Sequence, residues 1–183
     1  MFRQWQSFDA MLRSLEKLEC KGDNMKKLSG VCTVLVLAFS FIGPLIAQTD
    51  PFVGTWKLNA KKSKFVPGPP RKSETRIVVT GPNGMRINVD RVNGDGSTQE
   101  FEYTTNLDGK SYPITGQGPY GADSIAANLT NPNTIQSTLS KDGKVVATAV
   151  TVVSNNGRIL TITTKGTDPQ GKQFTNVSVY DKQ

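Results

Sequence analysis

From residue 53 onward, apolar and polar side chains alternate along short segments that are rich in β-branched residues. The segments 85–90, 134–139 and 159–164 are examples, and a period of two is typical of a β-strand with one buried face. Turn signals such as Asn-Gly and Asp-Gly separate these segments at short intervals. No segment after residue 47 keeps a helical period, so the pattern predicts an all-β fold.

The pattern predicts about ten short strands joined by tight turns. They begin near Val53, Thr75, Met85, Thr98, Lys110, Asp123, Thr134, Lys144, Arg158 and Lys172. Such a meander protects its edges best by closing on itself. We therefore expect a single antiparallel up-and-down β-barrel of about 8–10 strands.

Residues 25–47 have the pattern of a secretory signal peptide. Met25-Lys26-Lys27 is followed by an apolar run from Val31 to Ala47, which ends in the small residue that a cleavage site requires. We expect cleavage before Gln48, export to the periplasm or medium, and no stable membrane insertion afterwards. The alternative is an uncleaved membrane anchor, for which the run is somewhat short.

Residues 1–24 precede this signal and contain Phe8, Met11, Leu12, Leu15 and Leu18 at helical spacing. They are interpreted either as an over-extended start, with Met25 the true first residue, or as a cytosolic extension. The predicted organisation is therefore residues 1–24, the signal peptide 25–47, and a barrel domain over residues 48–183.

The composition excludes several kinds of catalytic site. The chain has no histidine, which excludes a Ser-His-Asp triad and histidine-ligated zinc. Its cysteines, Cys20 and Cys32, both precede the predicted barrel, so that domain has no thiol chemistry, disulfide or thiolate metal site. We predict a protein that is not an enzyme and has neither a metal nor a cofactor.

The formal net charge is +7, and part of it lies in a Pro/Gly-rich connection. We interpret the basic residues of this connection as a solvated loop rather than a nucleic-acid surface, and expect no nucleic-acid partner. The members of this basic cluster are Lys57, Lys61, Lys62, Lys64, Arg71, Lys72 and Arg76.

The first predicted strand contains Gly54-Thr55-Trp56, and Trp56 is the only tryptophan after the signal peptide. Residues 52–58 resemble the opening strand of the calycins, the superfamily of lipocalins and fatty-acid-binding proteins. Residues 176–181 are similar to the closing strand of fatty-acid-binding proteins, and small secreted bacterial lipocalin-like proteins look similar as well. The resemblance implies a barrel in which Gly54 and Trp56 close one end.

Two departures from fatty-acid-binding proteins bear on the ligand. Those proteins hold the ligand carboxylate with an arginine two residues before the closing-strand tyrosine, whereas Ser178 precedes Tyr180 here. They also cover the barrel with two short helices after the first strand. Residues 61–73 contain three prolines, which disfavour helices, so we expect an extended loop over the mouth, tucked in by Phe65.

Alternation identifies the side chains that face the barrel interior. If Tyr180 faces inward, so do the residues at every second position before it. A mixture of aromatic and hydroxyl groups suits a pocket in which a few polar groups orient an apolar ligand. The predicted ligand-binding residues are Phe101, Tyr103, Tyr112, Phe174, Asn176, Ser178 and Tyr180.

Two functions remain open from the sequence. The first is an exported carrier of a small hydrophobic ligand, which we expect to be uncharged because Ser178 supplies no cation for a carboxylate. Trp56 is then expected to report ligand occupancy. The second is an interaction protein of the cell envelope, such as a protease-inhibitor-like barrel, whose interior side chains simply fill the core.

Overall fold

A computed structural model describes residues 50–168 and 171–183. The predicted extension and signal peptide lie outside these residues. Within the described part, no helix has the length and apolarity needed to cross a membrane. That part contains one 3₁₀ turn, Pro119–Gly121, and twelve strands: β1 Gly54–Leu58, β2 Lys64–Val66, β3 Ser73–Gly81, β4 Gly84–Val92, β5 Thr98–Thr105, β6 Asp108–Pro113, β7 Thr115–Gly116, β8 Ser124–Asn131, β9 Thr134–Lys141, β10 Lys144–Val153, β11 Ile159–Thr167 and β12 Gln173–Lys182.

Ten of these strands correspond to the ten predicted ones. Each begins within about two residues of the predicted start, because alternation and turn signals are both local properties of the sequence. Two short strands were not predicted. Lys64–Val66 and Thr115–Gly116 lie in connections, where three or two residues are too few to show a period.

All the strands form one antiparallel sheet. Their order is β6-β8-β9-β10-β11-β12-β1-β3-β4-β5-β7, and β2 also pairs with β12. The last strand therefore lies beside the first, with Tyr180 opposite Leu58. β6, at one end of this order, contacts β5, which is next to the strand at the other end. The expected single up-and-down barrel is confirmed, in a nearly closed form.

The β9–β10 hairpin shows how a turn signal sets the register. Asp142 and Gly143 have φ of 50° and 75°, the conformation that a two-residue type I′ turn requires. Lys141 is consequently paired with Lys144 across the turn. An Asp-Gly pair tolerates this backbone better than bulkier residues do.

The larger of two core clusters contains Trp56. Its indole is fully buried and donates a 2.8 Å hydrogen bond from Nε1 to the carbonyl oxygen of Phe52. The Nζ of Lys182 lies 5.0 Å from the indole ring, and a Cβ at Gly54 would come within 2.7 Å of that lysine side chain. Gly54 thus leaves space for the side chain of Lys182 to lie over the tryptophan ring.

Candidate ligand-binding site

The closing strand places its alternate side chains inside the barrel, as expected. Phe174, Asn176, Ser178 and Tyr180 are all buried, and Ser178 and Tyr180 line an interior cavity of about 60 Å³. Phe101 and Tyr103 on β5 line the same cavity. The structure therefore brings four of the predicted site residues together around one space.

Phe174 and Asn176 lie above this cavity, at the mouth of the barrel. The ring of Phe174 stacks on Tyr120, with centroids 4.2 Å apart. Asn176 donates a 3.0 Å hydrogen bond to the Tyr120 hydroxyl and accepts one from the backbone of Val66. Both residues therefore cover the cavity instead of lining it.

The structure does not bring Tyr112 to the cavity. Its hydroxyl accepts a hydrogen bond from Asn106 and donates one to Asp108 in an exposed part of the molecule, and Tyr112 is not among the residues that line the cavity. The neighbouring residue at the next inward position, Ile114, does line it. Tyr112 lies on β6 opposite Ile125 of β8, but its hydroxyl is bound to partners in the adjacent turn.

Three arginines that the sequence did not assign to the site surround Ser178 and Tyr180. Arg71 comes from the connection before β3, Arg76 from β3 and Arg91 from β4, and all three line the cavity. The interpretation of Arg71 and Arg76 as part of a solvated loop is wrong, since their side chains are only 11% and 12% exposed. The five lysines of that cluster are exposed, as predicted.

Strand pairing explains why charged side chains of β3 face the interior of the barrel. Arg76 lies directly opposite the inward-facing Trp56 and Val89, and Glu74 lies opposite Arg91. Directly paired residues share a face of the sheet, so both face inward. The apolar Ile77 and Val79 then face outward and are 40% and 44% exposed.

Glu74 is the common partner of the three arginines. Its carboxylate accepts hydrogen bonds of 2.9 Å from Arg71, 2.9 Å from Arg76 and 2.8 Å from Arg91. The hydroxyl of Tyr180 donates a fourth, at 2.8 Å. A carboxylate offers roughly four lone-pair positions, so these partners use its full capacity. We call Glu74, Arg71, Arg76, Arg91 and Tyr180 the arginine cluster.

The charges of the cluster fix its protonation state. Burial alone would raise the pKa of Glu74, but the positive charges of Arg91, Arg71 and Arg76 outweigh it and hold that pKa well below its usual range. Burial, followed by the charge of Glu74, raises the pKa of Tyr180 to about 12. At neutral pH, Glu74 is therefore ionised and Tyr180 is a neutral hydrogen-bond donor.

This arrangement removes the reason for expecting an uncharged ligand. The closing strand has no arginine, but the guanidinium of Arg71 donates a 3.1 Å hydrogen bond to Ser178 Oγ from the opposite side. Cations are thus present beside Ser178, although none of them lies on the closing strand. They come from β3, β4 and the preceding connection, which the comparison of closing strands could not reveal.

The rest of the interior is mainly apolar, and side chains separate it from the first cavity. A second cavity of about 40 Å³ lies next to Phe52, Val78, Met85 and Leu160. Arg76 and Tyr103 line both cavities and so lie between them. Trp56 lines neither, which makes it a poorer reporter of occupancy than expected.

The barrel mouth is covered by the Pro-rich connection between β2 and β3. A Cβ at Gly94 would come within 2.5 Å of Pro69, so this connection packs closely on the β4–β5 hairpin. The guanidinium of Arg71 lies 5.1 Å from the ring centre of Phe65. Outside Arg71, Arg91 and Tyr120, the mouth contains an open pocket of about 300 Å³.

Comparisons with known proteins add little to this description. No protein-family model matches the chain, and no curated protein matches it. Among solved structures, the chain is similar to zebrafish ileal bile acid-binding protein complexed with cholic acid. That likeness has 11% identity and a TM-score of 0.42, and covers 73% of this chain and 99% of the other. The strand order and register described above, rather than this likeness, establish the antiparallel barrel.

Proposed function

We propose that this chain is an exported binding protein, not an enzyme, which holds a small molecule inside its barrel. One observation carries the proposal. The interior cavity has a wall of arginine and hydroxyl groups on one side and, on the other, apolar side chains such as Ile125, Leu139 and Ala149. Such a two-sided wall suits a ligand that has both a polar and an apolar end.

The arginine cluster favours ligands with an acceptor-rich end. Arg71, Arg76 and Arg91 provide three positive charges, and Glu74 provides one negative charge. Burying uncompensated charge is unfavourable unless partners satisfy it. We therefore replace the uncharged ligand of the sequence analysis with one that presents oxygen acceptors to the cluster.

A cavity-filling variant tests whether a ligand occupies the interior. Ala149 lines the cavity, so Ala149→Leu reduces its volume, while Ala60→Leu adds the same atoms at an exposed turn. Native mass spectrometry of the wild-type protein is expected to show a retained small molecule. Ala149→Leu loses it and Ala60→Leu keeps it. Equal retention by both variants would place the ligand elsewhere.

Export is tested separately. We propose that the mature protein begins at Gln48, on the basis of the apolar run and its small-residue ending. N-terminal sequencing of protein recovered from outside the cytosol is expected to start at Gln48. A start at Met1 or Met25 in that fraction would contradict the proposal.

The filled-core interaction protein is a second candidate, favoured by the size of the cavities. Volumes of about 60 Å³ and 40 Å³ are far below the roughly 300–1,000 Å³ of typical ligand pockets. In the described residues, every fully buried side-chain nitrogen or oxygen has a hydrogen-bond partner. If no small molecule is retained and none raises the unfolding temperature, this candidate replaces the first.

A further inference from the structure

Several hydrogen-bond donors that line the interior cavity have no protein partner in the described part of the chain. Within residues 50–168 and 171–183, Arg76 donates one hydrogen bond, from Nη1 to Glu74, although a guanidinium has five N–H groups. Arg76 also lines the cavity. Its unused N–H groups therefore adjoin free space inside the barrel.

Two hydroxyl groups add to these unpaired donors. Ser178 Oγ accepts a hydrogen bond from Arg71, and the Tyr120 hydroxyl accepts from Arg71 and Asn176. Neither hydroxyl donates to a partner in the described residues, so each keeps an O–H available. Both residues line the same cavity as Arg76.

No carboxylate is left to pair with these donors, and the side-chain acceptors that remain at the cavity are uncharged hydroxyls such as those of Ser137, Thr151 and Thr164. The four hydrogen bonds to Glu74 use its carboxylate fully, and among the described residues no carboxylate lines this cavity. The three arginine charges exceed the single charge of Glu74 by two. Both the hydrogen bonding and the charge of this wall are complementary to an anion with several oxygens.

The cavity limits the size of that anion. At roughly 10–15 Å³ for each water-sized position, a volume of about 60 Å³ holds about four to six such positions. A carboxylate or phosphate group fits this space, whereas the steroid or long acyl chain of a lipid does not.

We propose that the cavity is a binding site for a small oxyanion, held by the unused donors of Arg76, Ser178 and Tyr120. The shared chemistry is a compact anion with two or more oxygens, either a short carboxylate or inorganic phosphate. This inference rests on the proposed function and names the class of its ligand. Tyr120 and Arg71 separate the site from the open pocket at the mouth, so the oxyanion is enclosed once bound.

Calorimetric titration of the purified protein tests the inference. Acetate and phosphate are titrated at constant ionic strength in chloride, with acetamide as the uncharged analogue of acetate and octanoate as the long carboxylate. Acetate or phosphate is expected to bind saturably at one site. Acetamide binds at least about tenfold more weakly, the factor that corresponds to one charge-assisted hydrogen bond, and octanoate binds no more tightly than acetate.

Two variants locate the binding. Arg76→Gln and Tyr120→Phe each remove unused donors, and the second keeps the ring that stacks on Phe174. Each is expected to weaken oxyanion binding by about tenfold. The control is Arg86→Gln on β4, because Arg86 is 56% exposed and, in the described residues, forms its ion pair with Glu102; this variant is expected to leave the affinity unchanged. Tyr120→Phe decides the question if Arg76→Gln does not fold.

Several results would overturn the inference. They are the lack of saturable binding of both oxyanions, equal affinity for acetate and acetamide, and unchanged affinity in the folded variants. Tighter binding of octanoate would overturn the size limit. If oxyanions fail but Ala149→Leu still releases a retained neutral molecule, the proposed function stands and only this inference falls.

Discussion

At the scale of single residues, Glu74 determines whether three arginines can remain inside the barrel. Its side chain is completely buried, and each oxygen accepts two hydrogen bonds from the arginine cluster. Without this carboxylate, Arg71, Arg76 and Arg91 would face one another across a few ångströms with no counter-charge. Removing one partner from a buried ionic group leaves uncompensated charge, which is strongly destabilising.

We expect Glu74→Gln to lower the free energy of unfolding by about 3–5 kcal/mol, the range for breaking a buried ion pair. The matched control is Glu102→Gln, which breaks an exposed pair with Arg86 and is expected to cost at most about 1 kcal/mol. Urea unfolding at neutral pH measures both. A loss for Glu74→Gln no larger than that for Glu102→Gln would show that the cluster contributes little to stability.

The low pKa of Glu74 also predicts a loss of stability in acid. The folded protein holds the pKa of Glu74 well below its ordinary value of 4.5. Below about pH 5, this carboxylate is therefore protonated more readily in the unfolded chain than in the folded protein, and the free energy of unfolding decreases. The stabilisation is complete above that range and is lost progressively as the pH falls. Unfolding free energies measured from pH 7 down to pH 3 are expected to fall less steeply for Glu74→Gln than for the wild type. Parallel curves would contradict this assignment.

At the scale of elements, the connection between β2 and β3 covers the mouth of the barrel. It follows Val66, packs Pro69 and Pro70 against Gly94, and delivers Arg71 to the cluster. Proline rings restrict its backbone, so less conformational entropy is lost when it is ordered. The close packing on a glycine makes the β4–β5 hairpin the support for this cover.

Gly94→Ala is expected to disturb the cover. Its Cβ would come within 2.5 Å of Pro69 and 2.7 Å of the Pro70 carbonyl oxygen, and overpacking of this kind costs about 1–3 kcal/mol. Hydrogen exchange is expected to accelerate around Arg71 and Lys72. Gly81→Ala is the control, since its Cβ would meet nothing within 4 Å. Unchanged exchange in Gly94→Ala would mean that the connection does not depend on this contact.

At the scale of the whole molecule, two ends of different character are joined by one sheet. The end that contains Trp56 and Phe52 has an apolar core, whereas the end near the mouth contains the arginine cluster and the Tyr120–Phe174 stack. Burial of apolar side chains such as Trp56 and Phe52 stabilises the fold at the first end. Because of this stabilisation, the fold can tolerate an ionic cluster at the other end, where binding is proposed.

Trp56→Ala tests how far the barrel depends on its apolar end. The loss of a fully buried tryptophan is expected to cost about 3–5 kcal/mol. Leu129→Ala, at a residue that is 49% exposed, is the control and is expected to have a small effect. Thermal unfolding compares the two variants with the wild type. A similar, small shift for both would refute a closing role for Trp56.

The sequence by itself determined the strands, their order and much of the inward face. Alternation and Asn-Gly or Asp-Gly turns act within a few residues, so they can be recognised in the sequence without a structure. The inward positions of Phe174, Asn176, Ser178 and Tyr180 followed from the period of two once Tyr180 was assigned. The same rule could have assigned Arg91 to the inward face, because it continues the inward series Met85, Ile87 and Val89 of β4.

Only the tertiary structure decided where the charges lie. β3 has apolar residues at both parities, Ile77, Val78 and Val79, so its own pattern does not say which face is buried. Pairing with Trp56 settles the choice and turns Arg76 inward. Arg71 and Tyr120 arrive from connections that have no period at all. A buried ionic cluster depends on contacts between residues far apart in the chain, and local sequence patterns contain no information about those contacts.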